Sequence, residues 1–190
     1  MAVALCGLHS LVAKAQIAKP VEQPGSSPWN SYRLNGLSIE TPAILRRPSN
    51  PSEAVSLVPA ESRNGVEMFE QLDSDPRYDR LRVAVSTIKF RADIEPNLEG
   101  AAAALMKYSK TATGDAAATV EIKPMKINGF EARNAEFRGH VPLGNFFASA
   151  IFVKQGQTMW TAYVLSSDSS KTDAERILRS IQIVPGEKRE

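Results

Sequence analysis

The pattern of apolar and polar positions predicts a chain built mostly of strands, beginning with a hairpin. Apolar residues alternate with polar ones in residues 32–34 and again in residues 37–39, on either side of Asn35-Gly36. Asn-Gly favours the positive backbone angles of a type I′ turn. The pattern therefore predicts two antiparallel strands joined by a tight turn, and Pro42 ends the second strand.

A second group of strands is predicted further along the chain. Residues 66–72 are expected to form a strand. Residues 81–90 carry apolar side chains at both odd and even positions, which is typical of a strand covered on both faces. Short turns separate the strands that follow, so we expect an antiparallel meander without crossovers. Its strands are predicted at residues 120–127, 130–137, 146–153 and 159–165.

Two helices complete the predicted elements. Pro96 suits a first helical turn, and apolar residues then recur at helical spacing; they are Leu98, Ala101, Ala102, Leu105 and Met106. The second helix is predicted to begin with a capping arrangement at residues 170–173, and a short strand at residues 181–184 follows it. Its apolar stripe consists of Ala174, Ile177, Leu178 and Ile181.

Residues 1–15 are predicted to be a signal peptide. An apolar run fills residues 2–13, which is shorter than the roughly 20 residues that a membrane-spanning helix needs. Small residues stand at Ala13 and Ala15, the two positions where signal peptidase accepts only small side chains. The alternatives are a first amphipathic or buried helix, or a lipid anchor on Cys6, which the bulky leucine before that cysteine disfavours.

The remainder of the chain is predicted to hold one folded domain, at residues 29–185. Residues 16–28 are polar and punctuated by prolines, as in a flexible tether. Residues 186–190 form a charged tail. A length of 190 residues leaves room for one domain with such extensions.

Composition and charge exclude several classes of function. Lys and Arg number 23 against 21 Asp and Glu, and this balance argues against a nucleic-acid binder, whose affinity comes largely from neutralising phosphates. Removal of residues 1–15 takes away Cys6 and His9 and leaves His140 as the last histidine. A catalytic cysteine and a histidine-rich metal site are therefore excluded from the mature chain, and we predict neither a cofactor nor a metal.

Three segments resemble the PsbP-like fold. They read Tyr-x-Leu-Asn-Gly-Leu-Ser-Ile-Glu-x-Pro from Tyr32, Asn-Gly-Phe-Glu-Ala-Arg-Asn-Ala-Glu-Phe from Asn128, and Ile-Leu-Arg-Ser-Ile-Gln-Ile from Ile177. The resemblance covers residues 29–185. It implies an α+β fold in which helices flank a central antiparallel β-sheet, as an α/β/α sandwich.

The resemblance implies a location for the protein more than a specific function. Members of this fold family include an extrinsic protein of the oxygen-evolving complex in thylakoid lumens, a nuclear-transport factor that binds a small GTPase, and many exported bacterial proteins. Together with the predicted signal peptide, it implies a periplasmic or secreted protein, or a lumenal one in a photosynthetic source. We expect its partner to be another protein of that compartment, with no nucleic acid bound and no transmembrane span in the mature chain.

Four residues are candidates for contacting a partner. Trp29 and Tyr32 lie where the tether meets the first strand, and either pin the chain start or offer an aromatic anchor. Trp160 belongs to an aromatic group that either fills the core or lines a ligand cavity. His140 is predicted to lie in a loop bounded by glycines, and the chain has no Gly-x-Ser-x-Gly elbow. We predict no catalytic residue.

A cluster of carboxylates invites comparison with a calcium loop. Asp73, Asp75 and Asp79 have suitable side chains, but Tyr78 and Ala84 stand where an EF-hand needs glycine and glutamate. We therefore expect a solvated turn of mixed charge.

The predicted function is an exported, non-catalytic binding or interaction domain, which a large apolar surface patch would favour. Two alternatives remain open. A carrier of a small ligand or lipid needs an enclosed apolar cavity of roughly 300 Å³ or more. A hydrolase that uses carboxylates or His140 needs two titratable groups in one cleft.

Overall fold

The computed structural model describes residues 28–48, 64–74, 81–113, 115, 118–141 and 144–184. The predicted signal peptide, the predicted tether up to residue 27, residues 75–80 of the predicted solvated turn and the charged tail lie outside these residues. The described elements in chain order are β1 Asn30–Leu34, β2 Leu37–Thr41, β3 Leu45–Arg46, β4 Val66–Ser74, β5 Leu81–Phe90, α1 Leu98–Thr113, β6 Thr119–Ile127, β7 Phe130–Val141, β8 Gly144–Gln155, β9 Thr158–Ser167, α2 Lys171–Arg179 and β10 Gln182–Ile183.

The central sheet has seven strands in the order β3-β4-β5-β9-β8-β7-β6, and all neighbours are antiparallel. The predicted meander is confirmed, since β6 to β9 pair in sequence. Asn128 and Gly129 join β6 to β7 with φ of 49° and 86°, as a type I′ turn requires. The predicted α+β class, with helices flanking a central antiparallel sheet, is confirmed.

The opening hairpin forms at the predicted residues but does not join the central sheet. β1 and β2 make a separate three-stranded sheet with β10, in which Ile183 pairs with Leu37. The backbone N–H of Val184 donates to the carbonyl of Gly36 at 2.7 Å, and that of Ile183 donates to Asn128 Oδ1 at 2.9 Å. Alternation specifies a strand and its faces but not its partner, so this second sheet was not predicted.

Each face of the central sheet carries a hydrophobic core. On one face α1 packs against β7 and β8, and the residues of its predicted apolar stripe are buried there. On the other face lie the small sheet and α2, which packs against β9 and β2. β5 contributes to both cores, with Ala84 and Ile88 on the α1 side and Val83 and Val85 on the α2 side. Its two-faced apolar pattern is thereby explained.

The start of α1 differs from the prediction by two residues. Asn97 Oδ1 accepts a hydrogen bond from the backbone N–H of Gly100 at 2.9 Å, so Asn97 caps the helix. Pro96 lies before the cap rather than in the first turn. A side-chain acceptor three residues before a free N–H decides where the helix begins, and Asn97 is the residue that supplies it.

The predicted cap of α2 serves the preceding turn instead. Ser170 Oγ accepts from the backbone N–H of Ser167 at 3.2 Å and closes a 3₁₀ turn at Asp168–Ser170. No side-chain hydrogen bond from Ser170 caps α2 itself. The predicted apolar stripe of α2 is confirmed, because Ala174 and Ile177 are fully buried.

Candidate interaction surface

Beyond Ala132, β7 carries polar side chains at every second position. They point to the α2 side of the central sheet, because successive side chains of a strand alternate between its faces. Their register neighbours on β6 and β8 are mostly polar too. This surface is named the polar sheet face and comprises Glu121, Lys123, Asn134, Glu136, Arg138, His140, Asn145, Phe147 and Ser149.

A chain of hydrogen bonds orders the middle of the polar sheet face. Ser149 Oγ donates to Asn134 Oδ1 at 3.0 Å, and Asn134 Nδ2 donates to Glu136 Oε1 at 3.2 Å. The other oxygen of Glu136 accepts from the Arg138 guanidinium at 3.3 Å. Because Ser149 is fully buried, this chain is anchored in the sheet and its outer end is held in place.

Arg138 is the outer end of that chain. Its side chain is 64% exposed, and its guanidinium lies 5.8 Å from the ring centroid of Phe147. Planar guanidinium groups stacked on aromatic rings and oriented by a carboxylate keep donors free for a second acceptor. Arginine and aromatic residues are also the types that dominate interface energies. The pair therefore has the chemistry of a docking anchor for an anionic group.

At one end of the same face, His140 has a defined tautomer. Asn145 Nδ2 donates to Asp168 Oδ2 at 3.2 Å, and a carboxylate can only accept, so the amide oxygen of Asn145 faces His140. His140 Nδ1 lies 3.0 Å from that oxygen. Because an amide oxygen can only accept, Nδ1 is the nitrogen that carries the proton when the ring is neutral. The opposite nitrogen, Nε2, is then the acceptor that the exposed ring presents.

His140 lies in a strand, which corrects the loop prediction. β7 continues to Val141, and His140 pairs with Asn145 of β8. The backbone N–H of His140 donates to Asp115 Oδ2 at 2.8 Å. This carboxylate supplies the acceptor that a neighbouring strand would otherwise supply, because β6 begins only at Thr119. The polar alternation of β7 was visible in the sequence, but Arg138 and Phe147 were not singled out from it.

The other three candidate residues lie in the α2-side core. Trp160 is 5% exposed, and its Nε1–H donates to the carbonyl of Asn35 at 2.7 Å. Trp29 and Tyr32 are half-buried against the same core, and the Arg176 guanidinium lies 3.7 Å from the Trp29 ring centroid. These contacts give Trp29, Tyr32 and Trp160 a role in stabilising the fold. Their roles in binding a partner stay predictions.

The structure does not bring His140 together with those aromatic residues. His140 pairs with Asn145 and Trp160 pairs with Val153, two positions of β8 that are about 26 Å apart at 3.3 Å per residue. The four candidates therefore do not form one site.

Comparison with models of known protein families and with curated proteins found no match. Among solved structures, the chain is similar to the solution structure of the cyanobacterial PsbP protein CyanoP from Synechocystis sp. PCC 6803. The TM-score is 0.53 at 14% identity, and the match covers 87% of this chain and 98% of that one. The chain has a PsbP-like fold.

Two further matches are more distant. LpqN of Mycobacterium tuberculosis, described as involved in cell envelope biogenesis, is 13% identical with a TM-score of 0.38, covering 83% of this chain and 91% of that one. A Bacteroides thetaiotaomicron protein is 9% identical with a TM-score of 0.41, covering 82% of this chain and 47% of that one. At these identities the PsbP-like fold transfers an architecture, and function has to be argued from the surface.

A cleft of about 300 Å³ lies where the loop before α1 passes the end of β5 and the start of β9. Its walls include the polar residues Asp93, Glu95 and Asn97, and Glu95 pairs with Lys154 at 3.0 Å across the sheet. The aromatic residues of the meander that prompted the carrier hypothesis do not line this cleft, and Phe152 among them is fully buried in the α1-side core. The other walls of the cleft are apolar, including Phe90, Ile94 and Met159, so the cleft is of mixed character and is not the enclosed apolar cavity that the carrier hypothesis needs.

The described residues include three exposed large apolar side chains, which are far apart in the sequence. They are Ile44 before β3, Val120 in β6 and Val184 after β10. Within the described ranges, no cluster of three His, Cys, Asp or Glu side chains is arranged to hold a metal ion. Neither helix of the described residues is long and apolar enough to cross a bilayer.

Proposed function

We propose that this chain is an exported, non-catalytic domain that binds another protein through the polar sheet face. The observation that carries the proposal is the Arg138–Phe147 pair, in which the guanidinium is exposed, oriented by Glu136 and held on a strand of the central sheet. A binding site on strands holds its groups more precisely than one on loops.

The chemistry of the face describes the partner it fits. A carboxylate of the partner can accept hydrogen bonds from the guanidinium N–H groups of Arg138 that do not bond to Glu136. An apolar side chain beside that carboxylate can cover the Phe147 ring. A donor group can meet Nε2 of His140 two residues further along β7. The partner is therefore a protein that presents an acidic residue next to an apolar one.

The partner is to be captured with the purified chain as bait and its affinity then measured by calorimetry. Arg138→Ala removes the anchor, and we expect it to weaken binding at least tenfold, as for an interface hot spot. Lys126→Ala removes the same charge from an exposed position on the opposite side of β6, and we expect less than a twofold effect. Equal affinities for the two variants would contradict the proposed surface.

Export is tested separately. In a bacterial host we expect the chain in the periplasmic fraction, with an intact mass that corresponds to an N-terminus at Gln16. A cytoplasmic product that retains residues 1–15 would refute export while leaving the binding surface to be judged on its own measurements.

A further inference from the structure

β6 is an outermost strand of the central sheet, within the part of the chain that the structure describes. It is nine residues long, and β7 pairs with it along its whole length on one side. The outer side of such a strand presents a row of backbone groups that can pair with another chain. Proteins therefore need a device that closes a long edge strand.

The tight turn after β6 decides which of its backbone groups point outward. Ile127 and Phe130 flank the Asn-Gly turn and form the hydrogen-bonded pair that closes the hairpin. Hydrogen-bonded pairs then recur at the odd positions of β6, and the even positions direct N–H and carbonyl groups away from β7. The even positions are Val120, Ile122, Pro124 and Lys126.

The charges of β6 favour one register for pairing with the β6 strand of a second copy. In an antiparallel pair centred on Ile122, Glu121 of each copy lies opposite Lys123 of the other. A pair centred on Glu121 or on Lys123 instead places like charges opposite each other, which is destabilising. Within one chain Lys123 Nζ already lies 2.9 Å from Glu121 Oε2, so the two charges are close enough to form an alternating ladder.

Pro124 removes hydrogen bonds from this favoured register. The outward residues would form three hydrogen-bonded pairs, Ile122 with Ile122 and, on each side of it, Val120 with Pro124, and each pair normally exchanges two bonds. Each of the two prolines lacks an N–H, so two of these six bonds cannot form and two Val120 carbonyls stay unpaired. We propose that Pro124 keeps the β6 edge closed to a second copy of this chain.

Pro124→Thr tests the proposal because it restores the missing N–H with a residue that favours strands. The full chain with Cys6→Ser is followed by size-exclusion chromatography with light scattering over a concentration series. We expect a monomer for the parent and a dimer for Pro124→Thr, with the dimer dissociation constant lowered roughly thirtyfold by two restored hydrogen bonds. A folded Pro124→Thr variant that remains monomeric overturns the proposal.

The register is tested with a cysteine and a charge reversal. In a pair centred on Ile122 the two Cα atoms lie within disulfide reach, so Ile122→Cys is expected to cross-link the Pro124→Thr chain and not the parent. Adding Lys123→Glu to Pro124→Thr sets like charges opposite each other and is expected to return the monomer. Cross-linking of the parent, or a dimer indifferent to Lys123→Glu, overturns the proposal. Pro124→Ala restores the same N–H and repeats the test if the threonine variant does not fold.

Discussion

Two glycines at equivalent turn positions allow backbone strain to be separated from steric contact. Gly36 and Gly129 each follow an asparagine in a type I′ turn, with φ of 93° and 86°. A residue with a Cβ pays about 1–2 kcal/mol in this left-handed region. A Cβ at Gly129 would meet no atom within 4 Å, whereas at Gly36 it would lie 3.0 Å from the Val184 carbonyl oxygen and 3.6 Å from the Trp160 ring.

The contact makes Gly36→Ala the more damaging substitution. Relieving it displaces β10, whose neighbour Val184 donates to the Gly36 carbonyl at 2.7 Å, and loss of such a bond costs about 1 kcal/mol. We therefore expect the free energy of unfolding to fall by about 1–2 kcal/mol in Gly129→Ala and by about 2–3 kcal/mol in Gly36→Ala.

Urea unfolding followed by tryptophan fluorescence measures both losses, and the slope against urea should not change. Trp160 lies beside Gly36, so its emission also reports whether the turn has moved. Equal losses in the two variants would show that β10 accommodates the methyl group freely and would refute the contact argument. A loss near zero in Gly129→Ala would refute the strain argument.

Two further substitutions probe a buried apolar side chain of α2 and a half-buried carboxylate of β4. Ile177→Ala empties a fully buried position of α2 and is expected to cost about 2–5 kcal/mol in thermal or urea unfolding, while the exposed control Glu175→Ala stays within about 0.5 kcal/mol. Burial raises the pKa of Asp73 above its usual 3.8, against the opposing charge of Arg82. The carboxyl of folded Asp73 then holds its proton more tightly than that of the unfolded chain. The parent should therefore lose stability relative to Asp73→Asn as pH rises from 3.8 through the raised pKa. A difference in the free energy of unfolding between the two proteins that is constant with pH contradicts this.

The local elements of this fold were predictable because their causes lie within a few residues. The turns at Asn35 and Asn128 take positive φ values, as their Asn-Gly sequences indicate. The two-faced pattern of β5 correctly placed it between two cores. Such features depend on backbone preference and on periodicity, which a single sequence displays directly.

Other features depend on contacts between distant residues. The extension of β7 through His140 relies on Asp115, which is 25 residues away. The burial of Trp160 relies on the Asn35 carbonyl, 125 residues away. A loop was therefore predicted at His140, where β7 continues. Trp160, a candidate binding residue, is enclosed by the small sheet. The polar sheet face carried a sequence signal, since polar side chains recur at every second position of β7, but nothing local indicated that α2 would leave it open.

The edge and the face of the sheet offer a partner two different modes of docking. Strand addition along β6 would recruit backbone groups, and Pro124 interrupts them, whereas docking on the polar sheet face uses the side chains of Arg138 and Phe147. The two proposals therefore predict opposite behaviour of two variants. Pro124→Thr should dimerise and still bind the partner with an intact face, while Arg138→Ala should stay monomeric and lose the partner. Partner binding that changes in Pro124→Thr monomers would place the docking site at the edge instead.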